Sequence, residues 1–183
     1  MLAGELSLPA RPSPEAQAPA VIICHPNPLM KGSRYDPVVL AIREQCLALG
    51  LATLTFDFRG VGASEGEARA DATCVADVLG ALEFLRAQPA IAAARVGLAG
   101  YSFGAQMAIA ACSADPAVRA CVAVAYPTGH DLPVVFEDYA ALQGLRRPLL
   151  FVTGADDQYA SIAKTLALVE PYGLNERAIP IEG

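Results

Sequence analysis

Histidine is almost absent from this chain: its 183 residues contain only His25 and His130, and none follows position 130. Proton transfer near neutral pH falls most often to histidine, so a base-dependent reaction has few candidates here. Lysine is equally scarce, with Lys31 and Lys164 among 13 basic residues, and Lys and Arg nowhere form a block. The net charge is −6 and the isoelectric point is near 4.8, which argues against nucleic acid and anionic membrane surfaces as partners. No apolar stretch reaches the ~18 residues of a membrane span. The start, Met1-Leu2-Ala3-Gly4-Glu5, lacks the basic region and apolar core of a signal peptide. The cysteines are five in number, an odd count, and no C-x-x-C occurs. They read as small buried hydrophobes in a reducing, cytoplasmic compartment rather than as a disulfide framework or metal site. No cluster of metal ligands and no cofactor motif is present, so no cofactor is expected.

What the chain has in abundance is apolar surface. Hydrophobic residues make up 54% and mean hydropathy is +0.38, which suits strands buried on both faces. Five apolar runs predict strands: Val21–Cys24, Ala52–Phe58, Val96–Ala99, Cys121–Ala125 and Leu149–Thr153. Between them, apolar residues step by three and four, as in Val39, Ile42, Cys46, Leu49 and in Val75, Val78, Leu82, Leu85. Two more helices are expected, one carrying Ala105, Ile109 and Cys112, the other Ile162, Leu166 and Val169. Glu5–Leu8 and Arg177–Ile181 add weaker edge strands. Strand–helix alternation predicts one domain over 1–183, an α/β fold with a doubly wound, mostly parallel sheet. The 22 residues of 126–147 leave room for a turn and a short helix near Glu137–Leu145, but not for a lid domain.

The candidate chemistry starts at Gly100-Tyr101-Ser102-Phe103-Gly104, a G-x-S-x-G that follows a strand and opens a helix. That context is the sequence form of a nucleophile elbow and makes Ser102 the candidate nucleophile. A tetrahedral intermediate needs two N–H donors. One belongs to the residue after the nucleophile, Phe103, and one to the loop after an earlier strand. That loop reads His25-Pro26-Asn27-Pro28. Proline has no N–H, so Asn27 is the second backbone donor, and His25 is read as a residue that ties the loop down. An acid is expected at the carboxyl end of a later strand, where Gly154-Ala155-Asp156-Asp157 supplies two aspartates. The glycine cluster Gly60-Val61-Gly62-Ala63-Ser64-Glu65-Gly66 has the wrong spacing for a dinucleotide loop.

With these pieces in order, the chain resembles the α/β-hydrolase family, and most closely its small, lid-less bacterial serine hydrolases related to dienelactone hydrolases. The resemblance rests on His25-Pro26-Asn27-Pro28, on Phe56-Asp57-Phe58-Arg59-Gly60-Val61-Gly62-Ala63-Ser64, on the elbow, and on Gly154-Ala155-Asp156-Asp157. Dienelactone hydrolases carry Cys at the nucleophile position, so Ser102 departs from them towards esterase-type relatives. The resemblance implies a Ser–Asp–His triad hydrolysing ester or related acyl substrates, with Asp157 as the acid. In the family the histidine follows the last strand. That strand is expected at Arg177–Ile181, so the histidine and a further helix are expected beyond residue 183. The chain as written is then expected to be cut short, with impaired activity and poor solubility. His130, beside Asp131, is the alternative base, and a non-catalytic binding protein of the same fold is the alternative function. The expected partner is a small acyl compound whose identity the sequence does not specify.

Overall fold

The computed structural model describes residues 1–10, 16–128, 147–172 and 178–181. Seven strands form one sheet: β1 (Gly4–Ser7), β2 (Ala18–Cys24), β3 (Ala52–Phe56), β4 (Ile91–Tyr101), β5 (Cys121–Val124), β6 (Leu149–Gly154) and β7 (Ala178–Ile181). Their spatial order is β1-β3-β2-β4-β5-β6-β7. Only β1 is antiparallel, paired with β3 at the sheet edge; every other pairing is parallel. Among the described residues four helices connect the strands: α1 (Pro37–Ala48), α2 (Val75–Arg86), α3 (Phe103–Ala114) and α4 (Ile162–Val169). This is the doubly wound, mostly parallel α/β sheet expected from the alternating apolar runs, and the α/β-hydrolase arrangement that the family resemblance implies. None of the described helices is long and apolar enough to cross a membrane.

The topology positions the site. From β2 the chain passes through α1 to β3 on one side, then through α2 back across β2 to β4 on the other. The loops leaving β2 and β4 therefore part at a crevice, the switch point where ligands gather in open parallel sheets. The register brings Cys24 beside Gly100 there.

The core is asymmetric. One face of the sheet carries Ile22, Leu54 and Phe56 under Val78 and Leu82 of α2 and Met107 and Ile109 of α3. The other face has a smaller cluster of Ile23, Ala99 and Val39 of α1. Neighbouring Ile22 and Ile23 thus serve opposite layers, as the period of two in a strand requires.

Several boundaries differ from the sequence expectation. β4 begins at Ile91, not Val96, because parallel pairing with β2 recruits an alanine-rich stretch, with a register shift between Ala18 and Ala20. Of the α1 stripe only Val39 is buried, and Leu49 caps the helix and stays exposed. β3 ends at Phe56 because Asp57 and Phe58 turn into a loop. Four cysteines are buried and Cys46 is half-buried, all as free thiols. The helix expected near 137–145 lies outside the described residues.

Candidate active site

Ser102 stands between β4 and α3 at φ 54°, ψ −120°, a conformation that L-residues rarely adopt and that stores backbone strain. Its N–H is anchored to the Val124 carbonyl at 2.9 Å, and its own carbonyl accepts from the Ala105 N–H at 2.9 Å. The flanking glycines are sterically required. A Cβ on Gly100 would lie 2.1 Å from the Gly104 carbonyl oxygen, and one on Gly104 would lie 2.2 Å from the Cys24 carbonyl oxygen. The start of α3 therefore packs backbone to backbone against the end of β2, which only glycine allows. The loop carrying Asn27 is thereby held beside the elbow.

That loop is built around His25, which is fully buried. Its Nε2 accepts the Phe58 N–H at 3.0 Å, so the ring proton sits on Nδ1 and is donated to the Pro26 carbonyl at 2.6 Å. Both ring nitrogens are thus engaged, and burial lowers the imidazole pKa against opposing effects of the Pro26 bond, Asp57 and Asp36. His25 is a structural histidine, not the base for Ser102. Asn27 caps the short turn Pro28–Met30, its Oδ1 accepting from Leu29 N–H at 2.8 Å. Its carbonyl accepts from the N–H groups of Met30 and Gly32, both at 3.0 Å. The backbone N–H groups of Asn27 and Phe103 have no acceptor among the described residues.

An aromatic chain joins the two donor segments. The His25 and Phe58 rings meet edge to face at 4.8 Å, and Phe58 meets Phe103 in the same way at 5.5 Å. Phe58 itself belongs to a braced loop. Asp57 accepts the Arg34 backbone N–H and its Nη1, both at 2.8 Å. Ser64 Oγ donates to the Asp57 carbonyl at 2.6 Å and accepts the Ala3 N–H at 2.9 Å. Arg59 is paired with Asp77 at 2.6 Å. Sequence reasoning recorded these residues as part of a familial motif without a role; their partners outside that motif lie 18 to 61 residues away. The glycine turn beside them is not a phosphate loop, for the N–H groups of Gly60, Val61 and Ser64 already bond to Glu65, Phe58 and Val61.

On the far side of the elbow, Asp157 follows β6. Its Oδ1 accepts the N–H groups of Tyr159 and Ala160, both at 2.8 Å, which shapes the turn and leaves Oδ2 without a partner among the described residues. Thr153 Oγ1 donates to the Ala160 carbonyl beneath it. The Tyr101 phenol, next to Ser102, has a raised pKa, first through burial and then through the negative charges of Asp36 and Asp157. Asp157 thus acts on Tyr101, the residue before Ser102. Asp156 makes no comparable contact among the described residues. The Ser102 hydroxyl has no hydrogen-bond partner among the described residues, and His130 lies outside them. A cleft of about 400 Å³ lies against β1 and α2, but its lining, including Leu6, Phe56 and Phe84, offers no titratable side chain.

Residues 6–138 match the model of the X-Pro dipeptidyl-peptidase (S15) family. The chain belongs to that family. Among curated relatives, a thiohydrolase from Arthrinium phaeospermum is 35% identical over 118 residues, 61% of this chain and 36% of its own length. The chain thus spans about a third of that relative. A structure described as an α/β serine hydrolase homologue from Coxiella burnetii aligns at TM-score 0.83 and 26% identity, covering 100% of this chain and 82% of that one. A Xanthomonas campestris α/β serine hydrolase without a lid aligns at TM-score 0.76 and 25% identity, covering 99% and 77%. This member of the S15 family shares the fold of these α/β serine hydrolases.

Proposed function

We propose that the protein hydrolyses esters or thioesters through an acyl-enzyme on Ser102. The reading is carried by the strained serine set over a helix N-terminus, with two N–H donors beside it that have no acceptor among the described residues. The Ser102 Oγ attacks the acyl carbonyl while a histidine takes its proton. The N–H groups of Asn27 and Phe103 hold the resulting oxyanion, each such donor contributing on the order of 10²–10³ in rate. The histidine returns the proton to the departing alcohol or thiol, and water then releases the acid by the same steps in reverse. Asp157 Oδ2 orients and stabilises the imidazolium. His25 is committed elsewhere, so the proposed base is a different histidine. The thiohydrolase relative supports including thioesters among the substrates.

A fluorophosphonate probe tests this on the full-length protein. Labelling that Ser102→Ala abolishes is the expected result. An intact, folded, full-length protein that takes no label would overturn the reading and support a non-catalytic binding role. Unchanged labelling and esterase activity in His130→Ala are also expected; their loss would move the base to His130.

A further inference from the structure

Large apolar side chains cluster on the loops at the carboxyl ends of the strands. Leu29 is 55% exposed, Met30 62% and Tyr35 60%, all on the β2–α1 loop, and Tyr159 is 51% exposed on the loop after β6. Water gains nothing from them there, and such concentrations on one edge mark contact surfaces. They are also held in place, which a merely tolerated surface residue would not need. Leu29 and Met30 ride the Asn27-capped turn, closed by the Met30 and Gly32 N–H bonds to the Asn27 carbonyl. The Tyr35 ring lies under the Arg34 guanidinium at 4.7 Å, and Arg34 Nη2 donates to its hydroxyl at 2.6 Å. Arg34 is in turn locked to buried Asp57. Order installed before binding lowers the entropy a ligand must supply. On the other side Tyr159 is fixed by Asp157 and by its carbonyl, which accepts the Thr128 N–H at 3.3 Å.

Charge on this edge adds a second constraint. Among the described residues its arginines are tied to internal acids, Arg34 to Asp57 and Arg59 to Asp77. Asp36 and Asp157 both press a negative field on Tyr101, beside the nucleophile. Lys31 stands in water at the end of the Pro28–Met30 turn, where screening leaves it little influence.

We propose that Leu29, Met30, Tyr35 and Tyr159 form an apolar rim for the acyl group, and that the substrates are esters or thioesters of uncharged, medium-length or aryl acids. Acids carrying a second carboxylate are excluded. The proposal rests on Ser102 being the nucleophile, and the test separates the two.

The full-length enzyme is assayed with p-nitrophenyl acetate, hexanoate and hemisuccinate, with fluorophosphonate labelling of Ser102 in parallel. Hexanoate should exceed acetate in kcat/KM by about tenfold or more, as four added methylenes on an apolar surface allow. Hemisuccinate should fall at or below acetate. The double substitution Leu29→Ser, Met30→Ser should lower the hexanoate value about tenfold and leave acetate within about twofold. Tyr159→Ser should act the same way from the other side. Both variants change exposed side chains, and an unaltered thermal melt checks that they fold. Full labelling with equal rates for acetate and hexanoate, or a preference for hemisuccinate, overturns the rim while Ser102 stands. Absence of labelling in the parent enzyme overturns the nucleophile and the rim together.

Discussion

The buried imidazole of His25 accepts the backbone N–H of Phe58 at 3.0 Å, binding the end of β2 to the loop that leaves β3. The same ring donates to Pro26 and packs edge to face on Phe58, so one side chain sets the loop that bears Asn27. Replacing it by alanine leaves a buried N–H unpaired and opens a cavity. His25→Ala should cost about 2–4 kcal/mol, measured by denaturant unfolding, with labelling of Ser102 weakened in proportion to the loosened loop.

The same residue makes stability depend on pH. Burial holds the folded-state pKa of His25 below its ordinary 6.5. Between the lowered folded value and 6.5 the unfolded chain binds the proton more readily, so stability is full above 6.5 and declines as pH falls through that window. His25→Gln should flatten this decline in a urea-unfolding series across pH 7 to 5. An equally steep decline in the variant would place the titrating group elsewhere.

Gly104 meets the Cys24 carbonyl where a Cβ would sit 2.2 Å away. The obstacle is backbone on both sides and cannot rotate aside. Gly104→Ala should therefore destabilise by about 3 kcal/mol or more and separate the two N–H donors. A variant with wild-type melting and wild-type probe labelling would contradict this packing.

Ser102 is held in a strained, half-buried turn. Its φ of 54° suits glycine better than any residue with a Cβ. Ser102→Gly should raise stability by about 1 kcal/mol while abolishing probe labelling. Unchanged or lowered stability on chemical unfolding would mean that the turn is not strained.

In the proposed mechanism Asp157 has two duties on its two oxygens: Oδ1 shapes the turn and Oδ2 orients the histidine. An asparagine retains an oxygen for the Tyr159 and Ala160 N–H groups and loses the charge. Asp157→Asn should keep the parent melting temperature and lower kcat about 10³–10⁴-fold. Asp157→Ala should lose the turn as well. Steady-state kinetics on the full-length enzyme decides; a kcat in Asp157→Asn within about tenfold of the parent would remove Asp157 from the acid role.

Much of this molecule was legible from local pattern. Continuous apolar runs announced the parallel strands because both faces of such a sheet are covered. The G-x-S-x-G announced the elbow because glycine spacing records backbone collisions, and Pro26 and Pro28 left Asn27 as the available donor because proline lacks an N–H. Boundaries were less legible. Ala92–Ala94 carry no strand signal; β4 reaches back over them to Ile91, which pairs with Ala18 of β2 across a register shift in the ladder.

Long-range partnership decided the rest. Nothing near Asp57 in the chain indicates that it holds Arg34, nor that Ser64 ties it to the first strand, since those contacts join separate elements. His25 could have been a base or a brace on sequence grounds; its engagement at both nitrogens, by Phe58 and Pro26, makes it a brace. The sequence by itself determined which residues can carry acyl chemistry, because that depends on side-chain type and on where backbone must be bare. The tertiary structure decided which of them are free to act, because hydrogen-bond partners and burial are set only when distant strands close on one another.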